Sequence, residues 1–194
     1  MTEDWRDCDR RRRAKPLVRL LRTKSYFHEN ISEFRFSEKL RKRVGEVAWE
    51  YVPQARELVV TDVGEGLVVD LIRNHDGSIV ITLAEYLARN GMTPECREAI
   101  DRMWAGLEEH RIFVQGRPDN LVVQEKEDGS CQCYAIDGFG LPYLIPLAQW
   151  FRPFTRKRFR RCISKHEKAV ARILEQREKG EEVWTKGFRL DQEG

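Results

Sequence analysis

The strongest structural signals in the sequence lie in residues 112–147, IFVQGRPDNLVVQEKEDGSCQCYAIDGFGLPYLIPL. It contains two apolar runs, 121–124 and 133–136, on either side of a polar connection with Asp128 and Gly129 at its centre. An Asp-Gly pair between two apolar runs is typical of a β-hairpin. We therefore expect the two runs to pair as antiparallel strands.

The hairpin is bounded on both sides by polar residues that are candidates for a functional site. A loop, 115–120, precedes it, because Gly116 and Pro118 disfavour both a helix and a central strand. This loop ends in Asn120, and Asp137 follows the second strand directly. The order of parts is thus a loop ending in an asparagine, a hairpin, and an aspartate beside glycines.

The composition is that of a globular protein with reduced cysteines. The chain has 194 residues, 41% of them hydrophobic, which is enough to bury a substantial core. Its 35 basic and 32 acidic side chains leave a net charge of only +3, so no overall field favours nucleic acid or a membrane. Five cysteines at irregular spacing, no signal peptide and no apolar run long enough to span a bilayer predict a cytoplasmic protein.

Residues 17–72 are predicted to contain one strand, one helix and one hairpin. An apolar patch at 17–21 predicts the strand. Asn30, followed three residues later by Glu33, matches a capping box, so a helix is expected to begin there and to end at Pro53. The hairpin is expected to pair 57–63 with 67–72 through a turn at 64–66.

The rest of the chain is predicted to be mostly helical. Thr82 and Glu85 form a second capping box, and Thr93 with Pro94 predicts the start of a longer helix. An amphipathic pattern over 155–179 predicts one further helix, which is expected to begin after Pro153. With the hairpins, these helices indicate the α+β class.

Several stretches of the sequence together resemble one known family. In chain order they are 66–72 with the turn at 76–77, 81–83, 117–121, 136–140 and 144–150. Their order is similar to that of the YrbL-like family of the PhoP regulatory network, within the protein-kinase-like superfamily. The resemblance implies a kinase-like fold with a reduced N-terminal β-lobe and a helical C-terminal lobe that carries catalytic-loop-like and DFG-like segments. The implied ranges are 1–72 and 73–179, with a flexible tail over 180–194 and an N-terminus shortened relative to the family.

The same resemblance assigns residues to a nucleotide site. In the protein-kinase template, an asparagine and an aspartate on the two sides of such a hairpin hold magnesium, which implies Asn120 and Asp137 as metal ligands. ATP and magnesium are then the implied cofactors. The residues assigned to the nucleotide are Arg19, at the position of the strand lysine, Glu33 as its partner, and Asp70, Leu71 and Ile72, which would border the adenine.

One position departs from the pattern of an active kinase. Five residues before Asn120, where the template has its catalytic aspartate, this chain has Gln115, which carries no carboxylate to accept a hydroxyl proton. Arg19 is likewise no clean substitute for a lysine ammonium. We therefore expect a regulatory protein that binds magnesium–nucleotide with little or no phosphotransfer. An active protein or small-molecule kinase is the first alternative.

A second alternative is a module that binds nucleic acid or a protein partner through its basic ends. The predicted helix 155–179 presents Arg156, Arg160 and Lys168 among many other cations. Such a face is typically solvated, so nucleic-acid binding is the less favoured interpretation. Cys131 and Cys133 alternate on one strand without a second pair or a zinc-like histidine spacing, and are interpreted as structural thiols.

Overall fold

The computed structural model describes residues 29–62, 64–138 and 152–181. Within these ranges the chain is α+β, as predicted, with α-helices and two small antiparallel sheets. The described residues form two compact units that divide between Leu71 and Ile72, and the second unit resumes over 152–181. The predicted strand at 17–21, Arg19 and most of the predicted tail lie outside the described residues. The kinase-like lobes stay a prediction.

The first unit consists of helix α1 (Glu29–Val44), a 3₁₀ turn (Glu46–Glu50) and strands β1 (Ala55–Thr61) and β2 (Gly64–Val69). The capping prediction for α1 is wrong, because Asn30 lies inside the helix. Its side-chain amide instead donates a hydrogen bond of 2.6 Å to the backbone carbonyl of Glu65 on β2. The helix also ends at Val44, well before Pro53.

The first hairpin forms, but its turn is displaced from the predicted position. Thr61 pairs with Gly64 and Leu58 with Leu67, which leaves two residues between the strands. The glycines at 64 and 66 therefore lie in β2 and not in the turn. The strand predicted to reach Ile72 ends at Val69.

Two capped helices open the second unit. Strand β3 (Ile81–Thr82) leads into α2 (Leu83–Asn90), and α3 (Pro94–Glu109) follows. The hydroxyl oxygens of Thr82 and Thr93 each accept a hydrogen bond of 3.2 Å, from the amides of Glu85 and Cys96, as the sequence predicts. The buried side of α3 is mainly apolar and has helical spacing: Cys96, Ala99, Ile100, Met103, Trp104, Gly106 and Leu107.

The predicted central hairpin forms, although its second strand spans 131–135 and not 133–136, and it supplies two strands of a three-stranded sheet. Strands β4 (Leu121–Glu125) and β5 (Cys131–Ala135) pair antiparallel, and β3 pairs with the other edge of β4. The side chains of Cys131 and Cys133 are both buried. The thiol of Cys133 lies in hydrogen-bond contact with that of Cys96 on α3, which lowers the pKa of Cys96 and raises that of Cys133.

Helix α4 (Arg152–Glu178) completes the second unit. It begins three residues earlier than predicted, since Pro153 lies in its first turn, where a missing amide hydrogen costs nothing. Its buried residues are Thr155, Phe159, His166 and Val170. Four other apolar residues of the helix are only half-buried: Cys162, Ile163, Ile173 and Leu174. No helix in the described ranges has both the length and the apolarity required to cross a bilayer.

Candidate functional site

The loop before β4 is held in a defined conformation by backbone hydrogen bonding. It follows three buried residues, 112–114, and ends in a short 3₁₀ turn (Pro118–Asn120) in which the amide of Asn120 donates to the carbonyl of Arg117 at 2.9 Å. The guanidinium of Arg117 also donates to the carboxylate of Asp119 at 2.9 Å. Asn120 is thereby placed immediately before the first hairpin strand.

The hairpin register places Asn120 next to the residues that follow β5. Leu121 pairs with Ala135, and the amide of Ile136 donates a hydrogen bond of 2.9 Å to the carbonyl of Asn120. Asp137 is the next residue along the chain, and its side chain is exposed. The carboxylate of Asp137 accepts a hydrogen bond from the amide of Gly138. The two predicted metal ligands thus lie at the same end of one hairpin, Asn120 before its first strand and Asp137 after its second.

Gly138 joins these two residues to Gln115. It has a φ of +76°, which L side chains rarely adopt. A Cβ at Gly138 would lie 3.0 Å from Cβ and Cγ of Gln115 and 3.2 Å from Nδ2 of Asn120. The side chain of Gln115 and the side-chain amide of Asn120 therefore both lie beside the backbone that follows Asp137. The structure thus places Gln115 and Asn120 beside the residue that follows Asp137, and the metal-binding role that the resemblance implies for Asn120 and Asp137 stays a prediction.

A residue that sequence reasoning missed, His166, holds this loop from α4. Its Nδ1 lies 2.9 Å from the carbonyl oxygen of Gly116, the residue after Gln115. The ring is only 1% exposed and contacts Trp104 edge-on, with ring centroids 5.5 Å apart. Its spacing along the helix could have indicated this burial. His166 is seven residues after buried Phe159 and four before buried Val170, so all three lie on one face of the helix.

The hydrogen bond to Gly116 determines where the His166 proton lies. A carbonyl oxygen can only accept, so Nδ1 carries the hydrogen and donates it. Nε2 is then an acceptor, and it is buried without a hydrogen-bond partner in the described part of the chain. Burial lowers the pKa of His166, although the hydrogen bond to Gly116 and the nearby carboxylates of Glu167 and Asp101 oppose this effect. The imidazole is thus held neutral as a donor to the loop.

The three residues assigned to the adenine follow the end of β2 and belong to no strand. Asp70 follows β2, and its carboxylate accepts two hydrogen bonds from Arg56, at 2.6 and 2.7 Å. Its amide donates to the carbonyl of Gln54 at 3.0 Å. Leu71 is 57% exposed, whereas Ile72 is half-buried. Asp70 and Leu71 belong to the first unit and Ile72 to the second, and their role at a nucleotide stays a prediction.

Glu33, assigned as the partner of Arg19, lies in the first unit on α1. It is half-buried and lines a mainly apolar pocket together with Phe36, Trp49 and Val69. Arg19 is outside the described residues, so the pair stays a prediction. Among the described residues no group of three or more His, Cys, Asp or Glu is arranged to hold a metal ion.

Comparison with known proteins gives a consistent family assignment. The family model described as PhoP regulatory network protein YrbL matches residues 9–171. The YrbL proteins of Escherichia coli (strain K12) and Shigella flexneri are each 26% identical to this chain over 148 residues. That match covers 74% of this chain and 66% of each relative, so the chain spans just under two thirds of their length. No solved structure matches the chain. Because the family model covers most of its length, the chain belongs to the PhoP regulatory network protein YrbL family.

Proposed function

We propose that this protein is a kinase-related regulatory protein that binds a magnesium–nucleotide through Asn120 and Asp137 and transfers phosphate poorly or not at all. The observation that carries the proposal is the convergence at Gly138. The side-chain amide of Asn120 and the side chain of Gln115 lie beside Gly138, the residue directly after Asp137. This is the juxtaposition that a metal-binding asparagine and aspartate on the two sides of a hairpin require.

The available ligands suit magnesium better than a transition metal. Asp137 offers an exposed carboxylate and Asn120 an amide oxygen, and both are hard oxygen donors. Magnesium typically uses one or two carboxylates and completes its shell with water and substrate phosphates. When bound, the ion would neutralise phosphate charge. A small oxygen-donor set is therefore compatible with a metal that arrives with a nucleotide.

The low-transfer part of the proposal rests on Gln115. The side chain lies beside Asn120 and Gly138, but an amide cannot accept a proton from a hydroxyl as a carboxylate does. General-base assistance typically contributes about 10²- to 10⁴-fold in rate. Binding depends on the metal ligands and not on this base, so binding can persist when transfer is lost.

Thermal unfolding with ATP and magnesium tests the binding part. We expect magnesium–ATP to raise the melting temperature of the unmodified chain by several degrees at about 100 times Kd, because binding to the folded state then contributes about 2.7 kcal/mol. ATP with a chelator, or magnesium alone, should give a much smaller shift. Asp137→Ala should abolish the magnesium-dependent shift, because it removes the carboxylate that would face the ion.

Asp101→Ala is the matched control, since Asp101 is an exposed carboxylate on α3 in the same unit. It should keep the full shift. Equal shifts for the unmodified chain and Asp137→Ala would contradict the nucleotide site.

A second experiment uses radiolabelled ATP. The Gln115→Asp variant should bind ATP nearly as well as the unmodified chain. Robust transfer by the unmodified chain that Asp137→Ala abolishes would instead favour an active phosphotransferase.

A further inference from the structure

The exposed face of α4 is strongly basic. Between Arg152 and His166 the helix contains no acidic residue, and Glu167 is the only acid before residue 173. The exposed cations of this face, here called the basic face, are Arg152, Arg156, Lys157, Arg160, Arg161, Lys165, Lys168 and Arg172.

These charges are not neutralised within the described part of the chain. Glu167 is committed to Arg97 on α3, with an N–O distance of 2.8 Å. None of the eight cations forms an ion pair with a described residue. Like charges three or four residues apart on a helix destabilise it by about 0.2–0.5 kcal/mol per pair. The basic face therefore costs stability, and a polyanionic partner would offset that cost.

We propose that the basic face binds the phosphate backbone of double-stranded nucleic acid without sequence preference. From Arg152 to Arg172 the helix rises about 30 Å at 1.5 Å per residue. A duplex is a stiff rod with one phosphate charge per about 1.7 Å of its axis, so the face spans roughly nine base pairs. The face has no asparagine or glutamine, the side chains that pair with adenine edges, so we expect phosphate contacts to dominate.

Two features disfavour other polyanions. Insertion of a helix into an anionic membrane requires a free apolar face, but Phe159, His166 and Val170 on the opposite side of α4 are buried within the unit. A disordered acidic peptide would lose conformational entropy in becoming ordered along the same length. A duplex is already straight and regularly charged, so it loses little on binding.

Fluorescence anisotropy of the full chain with a labelled 20-base-pair DNA of arbitrary sequence tests the proposal. We expect binding at 50 mM KCl that weakens steeply by 200 mM, because bound cations release counterions from the duplex. Lys157→Glu with Lys168→Glu should weaken binding at least about tenfold at 50 mM KCl and reduce the salt slope by about two. A duplex of unrelated sequence should bind equally well.

The matched control is Lys39→Glu with Lys42→Glu, two exposed lysines on α1. Each pair changes the net charge by −4, from +3 to −1, so the control should retain the affinity that the α4 pair loses. Circular dichroism checks that both variants fold, and Lys157→Gln with Lys168→Gln serves if the charge reversal unfolds α4. Equal weakening by both pairs, binding insensitive to salt, or no binding at 50 mM KCl would overturn the proposal. Stronger competition by phosphatidylserine vesicles or polyglutamate than by unlabelled duplex would overturn it as well.

Discussion

His166 shows how one buried side chain sets the geometry of a neighbouring loop. Its Nδ1–H donates to the carbonyl of Gly116, while Trp104 packs against its ring. Protonation would place a charge in a site that excludes water and would add a second N–H where no acceptor lies among the described residues. The loop that carries Gln115 and leads to Asn120 is thus tied to a neutral imidazole.

We predict that His166 makes folding sensitive to mild acid. Its native pKa lies below the ordinary value of 6.5, so between these two values the unfolded chain binds a proton that the folded chain does not. The stability contributed by the neutral ring is present above pH 6.5 and is lost as the pH falls toward the native pKa, by at most about 1.4 kcal/mol per pH unit. Urea unfolding at pH 7.5 and 5.5 measures this loss.

Comparison of two variants isolates the contribution of this ring. His166→Asn keeps a donor near Gly116 without a titrating group, so it should lower stability at both pH values but flatten the pH dependence. His166→Gln, a longer amide without a titrating group, should flatten the pH dependence in the same way. A His166→Asn chain that loses as much stability between pH 7.5 and 5.5 as the unmodified chain would contradict this prediction.

Among the elements, the loop before β4 depends on helix α3 as much as on α4. Gly116 has a φ of +65°, and a Cβ there would lie 2.6 Å from Cζ2 of Trp104. That distance is far inside van der Waals contact, and the indole is itself buried between the loop and Phe159. The loop therefore approaches α3 as closely as it does only because residue 116 has no side chain.

We predict that Gly116→Ala destabilises the chain by about 2–5 kcal/mol. Backbone strain contributes roughly 1–2 kcal/mol and overpacking against Trp104 a further 1–3 kcal/mol. Gly129→Ala is the control, because Gly129 has a φ of +79° but nothing within 4 Å of an added Cβ. It should show the backbone cost alone. Equal losses for the two variants in urea unfolding would show that contact with Trp104 does not matter.

On the scale of the whole molecule, the two units differ in how much apolar surface they bury. In the described part of the first unit the buried apolar residues are Leu40, Ala48, Val52 and Ala55. On β1, Val60 is 89% exposed. The second unit buries one side of α3, alternate residues of β5 and all of 121–123. Burial contributes about 25 cal/mol per Å² of apolar surface, so among the described residues the second unit has the larger stabilising core.

We predict that hydrogen exchange separates the two units. Amides of α3, β4 and β5 should exchange most slowly, because they open only when the larger core unfolds. Amides of β1 and β2 should exchange faster under the same conditions, since few buried side chains hold that hairpin. Hydrogen–deuterium exchange with mass spectrometry measures both in one experiment. Leu107→Ala should speed exchange in α3 and β5 while leaving β1 and β2 unchanged. Equal protection of the two hairpins would contradict this prediction.

The local sequence was sufficient for those features that depend on neighbouring residues. The cap at Thr82, the helix start at Thr93 and the central hairpin follow from residues only a few positions apart, and each is found, although the second hairpin strand spans 131–135 and not 133–136. The pairing of β4 with β5 brought Asn120 beside Ile136 for the same reason. Turn residues and hydrophobic alternation set a hairpin register without help from the rest of the chain.

The features that depend on distant partners could not be predicted from the sequence and became visible only in the tertiary structure. Asn30 has the chemistry of a cap, but the carbonyl of Glu65 on β2 provides a different partner for its amide. His166 stands in a basic helix like any other polar residue, and its role exists only because Gly116, fifty positions away, presents a carbonyl to it. Local patterns determine which backbone conformations are favourable, whereas a buried polar group takes the partner that folding brings within hydrogen-bond distance.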